Sequence, residues 1–340
     1  MIPQNNEIPS PVSQAVYLYP DGEVRYKIAL HKRNGKNCGS DRSILQVESK
    51  CTTRGTQRVE RLDRLRPGWG ALAKNRKFTV YAKNTVRRAA GALELEFGKE
   101  KLAFTTLTVP GSYQKITKAV ASYSGYIMNR IQTYLSDNYG HSDGSKYVLG
   151  VVELQKRGML HWHFLIAVED TKLIETLEIK MQKFWHRLLK QVSKLSGVDL
   201  FKRKQGDTWE GRWEKIKHRA VDVQTVKKSV VGYLAKYMSK GCKKGMKSVQ
   251  KSTAFSPSRW WSCSDDAKAL MHRRTLCWSL PKVDWESANQ IIGLEVLASF
   301  QAFNMWNSKV INPYTKQLCA LVGRGSYELC SEWVRDMLPV

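Results

Sequence analysis

The pattern of apolar residues between about 100 and 245 predicts an α+β fold, a small antiparallel sheet with helices packed on it. Short β-rich runs bounded by turn residues alternate there with longer runs whose apolar residues recur every three or four positions. The resulting order is strand, helix, strand, strand, helix, strand, helix, and only a short turn separates the two consecutive strands. Strands joined in that way pair antiparallel, and we expect the helices to lie on one face of the sheet.

Each element has its own local signal. The first strand ends at Pro110, the second long helix ends at Gly197, and the last helix is closed by Gly241. The predicted elements are strand 104–109, helix 116–134, strands 147–154 and 160–168, helix 173–195, strand 220–226 and helix 228–240.

Composition divides the chain into three regions. Residues 1–98 form a basic, turn-rich N-terminal accessory region, in which 52–66 and 69–95 are interpreted as basic helices that either contact DNA or face solvent. Residues 99–245 contain the regular elements and are predicted to form one domain. Residues 246–340 are interpreted as a C-terminal accessory domain.

The C-terminal region is rich in tryptophan. Indole rings either fill a core or stack on unpaired bases, and core packing is the favoured interpretation here. The residues concerned are Trp260, Trp261, Trp278, Trp285, Trp306 and Trp333.

The charge of the chain indicates a polyanionic partner. Lysine and arginine number 56 against 30 aspartate and glutamate, which gives a formal net charge of +26. Nucleic acid is the leading candidate, because neutralised phosphates release counterions and thereby drive binding. Charge alone does not separate an enzyme that acts on nucleic acid from a protein that only binds it.

The cysteines and the N-terminus predict an intracellular protein. Seven cysteines lie at wide spacings without a CxxC pair, which favours reduced thiols over a disulfide framework or a zinc site. The first residues lack the pattern of a signal peptide, and no apolar run reaches the length of a membrane helix. We therefore expect a cytoplasmic protein with no membrane partner.

The segment His161-Trp162-His163 lies within an apolar strand and is a candidate metal site. Side chains alternate across a strand, so both imidazoles are on one face and Trp162 points into the core on the other. Two histidines so placed can share a divalent ion, although a pair of this kind also occurs as ordinary packing.

Glu153 is the third candidate ligand, and its position depends on the length of the turn. A three-residue turn at 156–158, with Gly158 left-handed, places Glu153 opposite His161. A turn with an even number of residues would put the carboxylate on the wrong face. Two nitrogens and one carboxylate oxygen suit Mg²⁺ or Mn²⁺, and zinc fits the same set.

The helix predicted at 228–240 carries a second constellation. Tyr233 and Tyr237 lie one turn apart on one helix face, and Lys236 and Lys240 each follow a tyrosine by three residues. The buried stripe is formed by Val230, Val231, Leu234 and Met238. The tyrosines then either stand at the rim of a cleft as nucleophiles, assisted by the ammonium groups, or simply cover the edge of a core.

These motifs together resemble the HUH endonuclease superfamily. The carriers of the resemblance are FTTLT at 104–108, ELQKRGMLHWHFL at 153–165 and YLAKYMSK at 233–240, with a weaker echo at 257–261. Within the superfamily they look like the rolling-circle replication initiators of small circular single-stranded DNA phages and related plasmids. The tyrosines follow the histidines here, as in those initiators, whereas relaxases have the tyrosine near the N-terminus.

The resemblance implies an HUH endonuclease domain at 99–245, with a sheet of about five strands that brings metal and tyrosine side by side. It implies Mg²⁺ or Mn²⁺ at Glu153, His161 and His163, and a tyrosine that nicks single-stranded origin DNA. The products would be a 5′-phosphotyrosine and a free 3′-OH primer. Tyr233 is favoured as the first nucleophile, because Lys236 follows it.

Partners and alternatives follow from the same resemblance. The chain has no GxxxxGK[ST] phosphate loop, so we expect a host helicase and polymerase to act beside it in a bacterial cell. An HUH-type transposase and a non-catalytic basic nucleic-acid-binding protein remain open. Asp222 is interpreted as an exposed strand residue rather than a site residue.

Overall fold

A computed structural model of the chain describes residues 12–30, 80–110, 114–155, 159–201, 206, 208–234, 259–283, 293–311 and 318–337. The chain forms two compact units, one made of residues 1–67 with 274–340 and the other of residues 68–273. Each unit contains a five-stranded antiparallel sheet, which confirms the α+β class.

The strands, in chain order, are β1 (Val12–Tyr19), β2 (Glu23–Leu30), β3 (Leu102–Thr108), β4 (Val148–Leu154), β5 (Leu160–Ala167), β6 (Val221–Thr225), β7 (Trp261–Cys263), β8 (Leu276–Val283), β9 (Trp306–Ile311) and β10 (Leu318–Arg324).

The helices are α1 (Val80–Phe97), α2 (Gln114–Ser122), α3 (Ser124–Asn138), α4 (Lys172–Ser196), α5 (Trp209–Ala220), α6 (Asp265–Arg273), α7 (Gly293–Ala302) and α8 (Tyr327–Met337). One further helix begins at residue 230 and is described to residue 234; we name it the tyrosine helix. None of the described helices combines the length and the apolar character that crossing a membrane requires.

The sheet of the larger unit has the order β6-β3-β5-β4-β7. Four of its strands are those predicted between 104 and 226. The fifth, β7, comes from the region expected to form a separate C-terminal domain, and it pairs with β4. A three-residue strand has too little sequence for its alternation to be recognised.

Helices cover both faces of this sheet, so the prediction of helices on one face is wrong. Helices α2 to α5 contribute to an apolar core on one face, and α1, the tyrosine helix and α6 contribute to a second core on the other. All eight residues of β5 are buried as a result. A strand buried on both sides loses the alternation of polar and apolar residues from which a single covered face is inferred.

Two predicted helices differ from the structure in detail. The helical stripe expected at 116–134 is divided into α2 and α3 at Tyr123, where the Ser124 hydroxyl donates to the Ala121 carbonyl oxygen at 2.8 Å. Helix α4 ends as predicted at Gly197, whose φ of 65° is left-handed. Leu195, expected in the buried stripe of α4, is exposed.

The smaller unit is built from both terminal regions of the chain. Its sheet has the order β8-β1-β2-β10-β9, and α7 and α8 contribute to its apolar core. The sequence suggested two separate accessory regions, 1–98 and 246–340, whereas residues 12–30 pair directly with strands from 276–283 and 318–324. The boundaries 99–245 for a functional domain stay a prediction, because compactness does not define function.

Candidate metal centre and tyrosine helix

Three buried side chains meet on one face of the larger sheet. Glu153 on β4 lies directly opposite His161 on β5, and His163 follows two residues along the same strand. Their ligand atoms all lie within 4.8 Å of one another. The residues are 6 %, 8 % and 2 % exposed, so a bound ion would be largely shielded from water.

The β4–β5 hairpin sets this register. The Gln155 amide donates to the Met159 carbonyl oxygen at 2.9 Å, which leaves residues 156–158 as the turn. The turn therefore has the odd length that the sequence predicted, and the placement of Glu153 opposite His161 is confirmed. The left-handed conformation expected of Gly158 lies outside the described residues.

The opposite face of β5 holds Trp162 in the apolar core, as predicted. Its ring packs edge-on against Trp185 of α4 at a centroid distance of 5.7 Å. The Trp185 indole in turn donates to the Thr108 carbonyl oxygen on β3 at 3.0 Å. This packing fixes the strand from behind, so the rotation of β5 that would move both imidazoles is blocked.

Each imidazole has a polar partner at its Nδ1 atom. Thr106 Oγ1 of β3 lies 3.2 Å from Nδ1 of His163, and the Gln155 side-chain amide lies 3.0 Å from Nδ1 of His161. Nε2 of His163 lies 2.9 Å from a carboxylate oxygen of Glu153. The Nε2 atom of His163 is therefore the one directed towards the carboxylate.

These partners are compatible with metal ligation. An imidazole that binds a cation through Nε2 keeps its proton on Nδ1 and donates it to a second group. The Thr106 hydroxyl accepts as readily as it donates. The Gln155 amide accepts through its oxygen, because the positions of amide oxygen and nitrogen are interchangeable in such a structure.

The donor set fits a divalent cation. Two imidazole nitrogens and one carboxylate oxygen leave further coordination positions for a phosphate oxygen and water. Mg²⁺, Mn²⁺ and zinc all accept such ligands, so the three residues define a candidate metal site without selecting the metal.

Tyr233 lies one aromatic ring away from this site. Its ring packs edge-on against Phe104 of β3 at 4.7 Å, and Phe104 stacks on His163 at 5.6 Å. Val230 and Leu234 are buried beneath the tyrosine helix as predicted, while Tyr233 is 39 % exposed. The sequence placed this phenol at a rim between core and solvent, and the burial agrees.

The tyrosine helix is attached to α1 through a carboxylate. Glu94 accepts from the Val230 amide at 2.9 Å and from the Ser229 hydroxyl at 3.4 Å. A negative charge there satisfies an otherwise unpaired helix amide and opposes the positive end of the helix dipole. The sequence analysis missed Glu94, because no local pattern links it to a helix 136 residues later.

The remaining predicted site residues divide into two groups. Tyr237, Lys236 and Lys240 lie outside the described residues, so their roles stay predictions. Asp222 is exposed on β6, as expected. It is paired with Thr106 and accepts hydrogen bonds from the Gln224 side chain, without joining the metal ligands.

Gln155 and Thr106 were not predicted as part of the site. Thr106 lies in the FTTLT motif, which was recognised without a role for this hydroxyl, and Gln155 lies between Glu153 and the turn. A polar residue two positions from a ligand on the same strand shares its face, and that signal was available in the sequence.

Comparison with known families follows this geometry. Residues 102–242 match the family described as Replication-associated protein ORF2/gene 2 protein. This segment belongs to that family. The match begins at the first residue of β3 and extends beyond the tyrosine helix, so it includes both constellations and confirms the resemblance to rolling-circle initiators. Comparisons with curated proteins and with solved structures gave no match.

Proposed function

We propose that this replication-associated protein initiates rolling-circle replication by nicking and rejoining a single DNA strand with a tyrosine nucleophile. The observation that carries the proposal is the contact chain from Tyr233 through Phe104 to His163, within a buried group of metal ligands. The family match supports the replication role, and the charge of +26 supports DNA as substrate.

Glu153, His161 and His163 would hold Mg²⁺ or Mn²⁺ in this reaction. A divalent cation bound there supplies charge that stabilises the phosphate oxygens and the departing 3′ oxygen. The Nδ1 partners keep both rings oriented, and Trp162 prevents the strand from turning. The burial of the ligands strengthens each of these electrostatic interactions.

The chemical step is a transesterification. The phenol oxygen of Tyr233 forms a bond to phosphorus while the bond between phosphorus and the 3′ oxygen breaks. The phenol gives up its proton, and the leaving 3′ oxygen takes one to become a hydroxyl. One phosphodiester is exchanged for a phosphotyrosine ester, so rejoining by the reverse step needs no ATP.

The second tyrosine and the two lysines complete the proposal. Tyr237, one helical turn after Tyr233, would cut a second time while the first phenol holds the strand. Lys236 and Lys240 would stabilise the developing negative charge. The free 3′-OH would serve as primer for a host polymerase, and a host helicase would separate the strands.

A covalent-adduct assay with four tyrosine variants tests the proposal. The full chain is incubated with Mn²⁺ and 5′- or 3′-labelled single-stranded oligonucleotides that carry candidate origin sequences. We expect a protein–DNA adduct that retains the 3′ part of the oligonucleotide, that EDTA abolishes, and that Tyr233→Phe reduces by about 10³-fold or more. Tyr237→Phe is expected to reduce rejoining or second cleavage, and the double variant to form no adduct.

Tyr134→Phe is the matched control, because Tyr134 stacks on Phe184 against the core on the other face of the sheet. It should form adduct at the wild-type rate. Absence of adduct from the wild-type chain, with DNA binding intact, would identify a non-catalytic binder. Strand transfer between two hairpin-bearing ends would identify a transposase instead.

A further inference from the structure

The sheet of the smaller unit has one face that its core does not use. Alternate residues of β1 and β2, such as Val16, Leu18 and Tyr26, enter the apolar core with α7 and α8. The residues between them therefore lie on the opposite face. The strand register aligns those residues in rows across the sheet.

Aromatic rings and cations alternate on this second face. Tyr17 and Tyr19 of β1 stack at 5.9 Å. The Lys27 ammonium lies 4.3 Å from the Tyr17 ring centroid, and the Arg25 guanidinium lies 5.9 Å from that of Tyr19. Aromatic faces attract cations, and both groups together form the surface on which an unpaired base and its phosphate are bound.

The pattern continues to the other edge of the sheet. Trp306 of β9 is directly opposite Arg324 of β10, whose guanidinium lies 5.3 Å from the indole. Trp306 is 58 % exposed, whereas Trp333 is buried in the core. The expectation that the C-terminal tryptophans fill a core is therefore correct for Trp333 and wrong for Trp306.

Charge is segregated within this unit. The second face carries Arg25, Lys27 and Arg324, and the carboxylate of Glu23 is buried between the two arginines at 2.6 Å from each. A net positive face is left after that pairing. Exposed acidic side chains of the described helices lie on α7 and α8, and they are Glu295, Glu328, Glu332 and Asp336.

We propose that this aromatic–cationic face, defined by Tyr17, Tyr19, Lys27, Trp306 and Arg324, binds single-stranded DNA as a site separate from the metal ligands. Rings that stack on bases require unpaired bases, because a duplex buries the faces of its bases in its own stack. The positive charge complements the phosphates of the strand. The replication role of residues 102–242 makes DNA, rather than RNA, the strand at hand.

Photocrosslinking of the full chain locates the site without mutation. A 5-bromodeoxyuridine-substituted oligothymidylate is bound and irradiated, and the crosslinked peptides are identified by mass spectrometry. We expect adducts on peptides that contain Tyr17, Tyr19 or Trp306. Crosslinks confined to residues 102–242 would overturn the proposal.

Paired variants then measure the contribution of each chemistry. Trp306→Ala should weaken binding of the oligothymidylate by about tenfold, and Trp306→Phe should retain most of the affinity. Leu276→Ala is the matched control, because Leu276 is an exposed apolar residue of the same unit, opposite Leu18 in the strand register. Equal affinities of Trp306→Ala and the wild type would contradict a stacking site.

Lys27→Gln and Lys309→Gln form a second pair that removes the same charge. Lys309 is aligned with Leu321, so it lies on the core side of β9 rather than on the aromatic–cationic face. Only Lys27→Gln should reduce the salt dependence of binding, by about one counterion. Equal salt slopes for the two variants, or tighter binding of duplex than of single strands, would overturn the proposal.

The outcomes are independent of the nicking reaction. The oligothymidylate lacks an origin sequence, so its binding needs no cleavage. Adduct formation on a short oligonucleotide that spans only the nick should be unchanged in Trp306→Ala. A wild-type chain that binds through this face yet forms no adduct would remove the proposed function alone.

Discussion

The two five-stranded sheets of this protein each bury one glutamate, in opposite chemical settings. Glu153 is 6 % exposed beside two imidazoles, and Glu23 is fully buried beside two guanidinium groups. Arginine keeps its proton at any physiological pH, so the charge of Glu23 is neutralised permanently. Imidazoles are neutral for much of that range, so Glu153 and its neighbours retain lone pairs that can bind a cation.

The comparison shows how one architecture supports a structural and a functional carboxylate. The ion pairs of Glu23 join β2 to β10 through residues 301 positions apart, and their loss would leave buried charge. The contacts of Glu153 join neighbouring strands of one hairpin, and they hold ligand atoms in place. The first carboxylate serves stability, and the second is available for chemistry.

The largest effect is expected at the imidazoles. His163→Ala should lower the rate of adduct formation by about 10³-fold or more in Mn²⁺, because the loss of cation charge at the phosphate costs several kcal/mol. His218→Ala is the control, because His218 is exposed on α5. Quenched time courses on a labelled oligonucleotide measure the rate, and calorimetric titration with Mn²⁺ measures binding. A variant that keeps wild-type metal affinity would remove His163 from the ligand set.

The two glutamates can be exchanged for glutamine to test their roles directly. Glu23→Gln should lower the free energy of unfolding by about 3 kcal/mol, because two guanidinium groups lose a buried counter-charge. Glu153→Gln should change the free energy of unfolding by less than about 1 kcal/mol, because an amide still hydrogen-bonds to His163.

The distinguishing readout is the response to metal. Denaturant unfolding with and without Mn²⁺ should show stabilisation of the wild-type chain and of Glu23→Gln, and little in Glu153→Gln. Stabilisation of Glu153→Gln equal to that of the wild type would mean that the carboxylate is no ligand.

A glycine in each sheet tests how tightly the cores are packed. A Cβ atom at Gly150 would lie 2.5 Å from a Phe164 ring carbon, and one at Gly323 would lie 2.8 Å from Phe300. Gly150→Ala and Gly323→Ala should each lower the free energy of unfolding by about 1–3 kcal/mol. Gly232→Ala, where a Cβ meets no atom within 4 Å, is the control. Unchanged denaturation midpoints would indicate looser packing than the contacts imply.

A smaller effect is expected at the carboxylate that caps the tyrosine helix. Glu94→Gln should lower the free energy of unfolding by about 1 kcal/mol, because the charge facing the helix N-terminus is lost. Glu96→Gln on the same helix removes only an exposed ion pair with Arg273 and should cost less than about 0.5 kcal/mol. Equal losses in the two variants would argue against the cap.

The smallest effect concerns pH. Burial lowers the pKa of His186 below its usual 6.5, in a cluster with Phe201 and Trp213. The unfolded chain then binds this proton more tightly than the folded chain, so its contribution to stability is complete above about pH 7 and falls on acidification through 6.5. His186→Phe should flatten the pH dependence of unfolding between about pH 7 and 5. A slope identical to that of the wild type would exclude this histidine.

Short-range geometry was the most predictable part of the site. The alternation of a strand placed His161 and His163 on one face, and the odd length of the turn placed Glu153 opposite them. The stripe of the tyrosine helix was predicted for the same reason, since Val230 and Leu234 are buried and Tyr233 is not. Each inference used residues close in sequence, where backbone geometry leaves few choices.

Contacts between distant segments were not predictable in this way. Nothing local to Glu94 marks it as a cap for the tyrosine helix, and α1 was assigned to an accessory region although it packs on the larger sheet. The exposed position of Trp306 depends on the pairing of β9 with β10. Composition describes a tryptophan as apolar, and only its place in a sheet decides which side of it meets solvent.

The sequence by itself determined the ligand types, their shared face and their register, because the period of a strand and the parity of a turn are fixed by covalent geometry. The tertiary structure decided that Tyr233 lies beside Phe104 and His163, and that the two chain ends form one sheet with an aromatic–cationic face. Such long-range pairings are selected by the burial of the whole apolar surface, and no single segment contains that information.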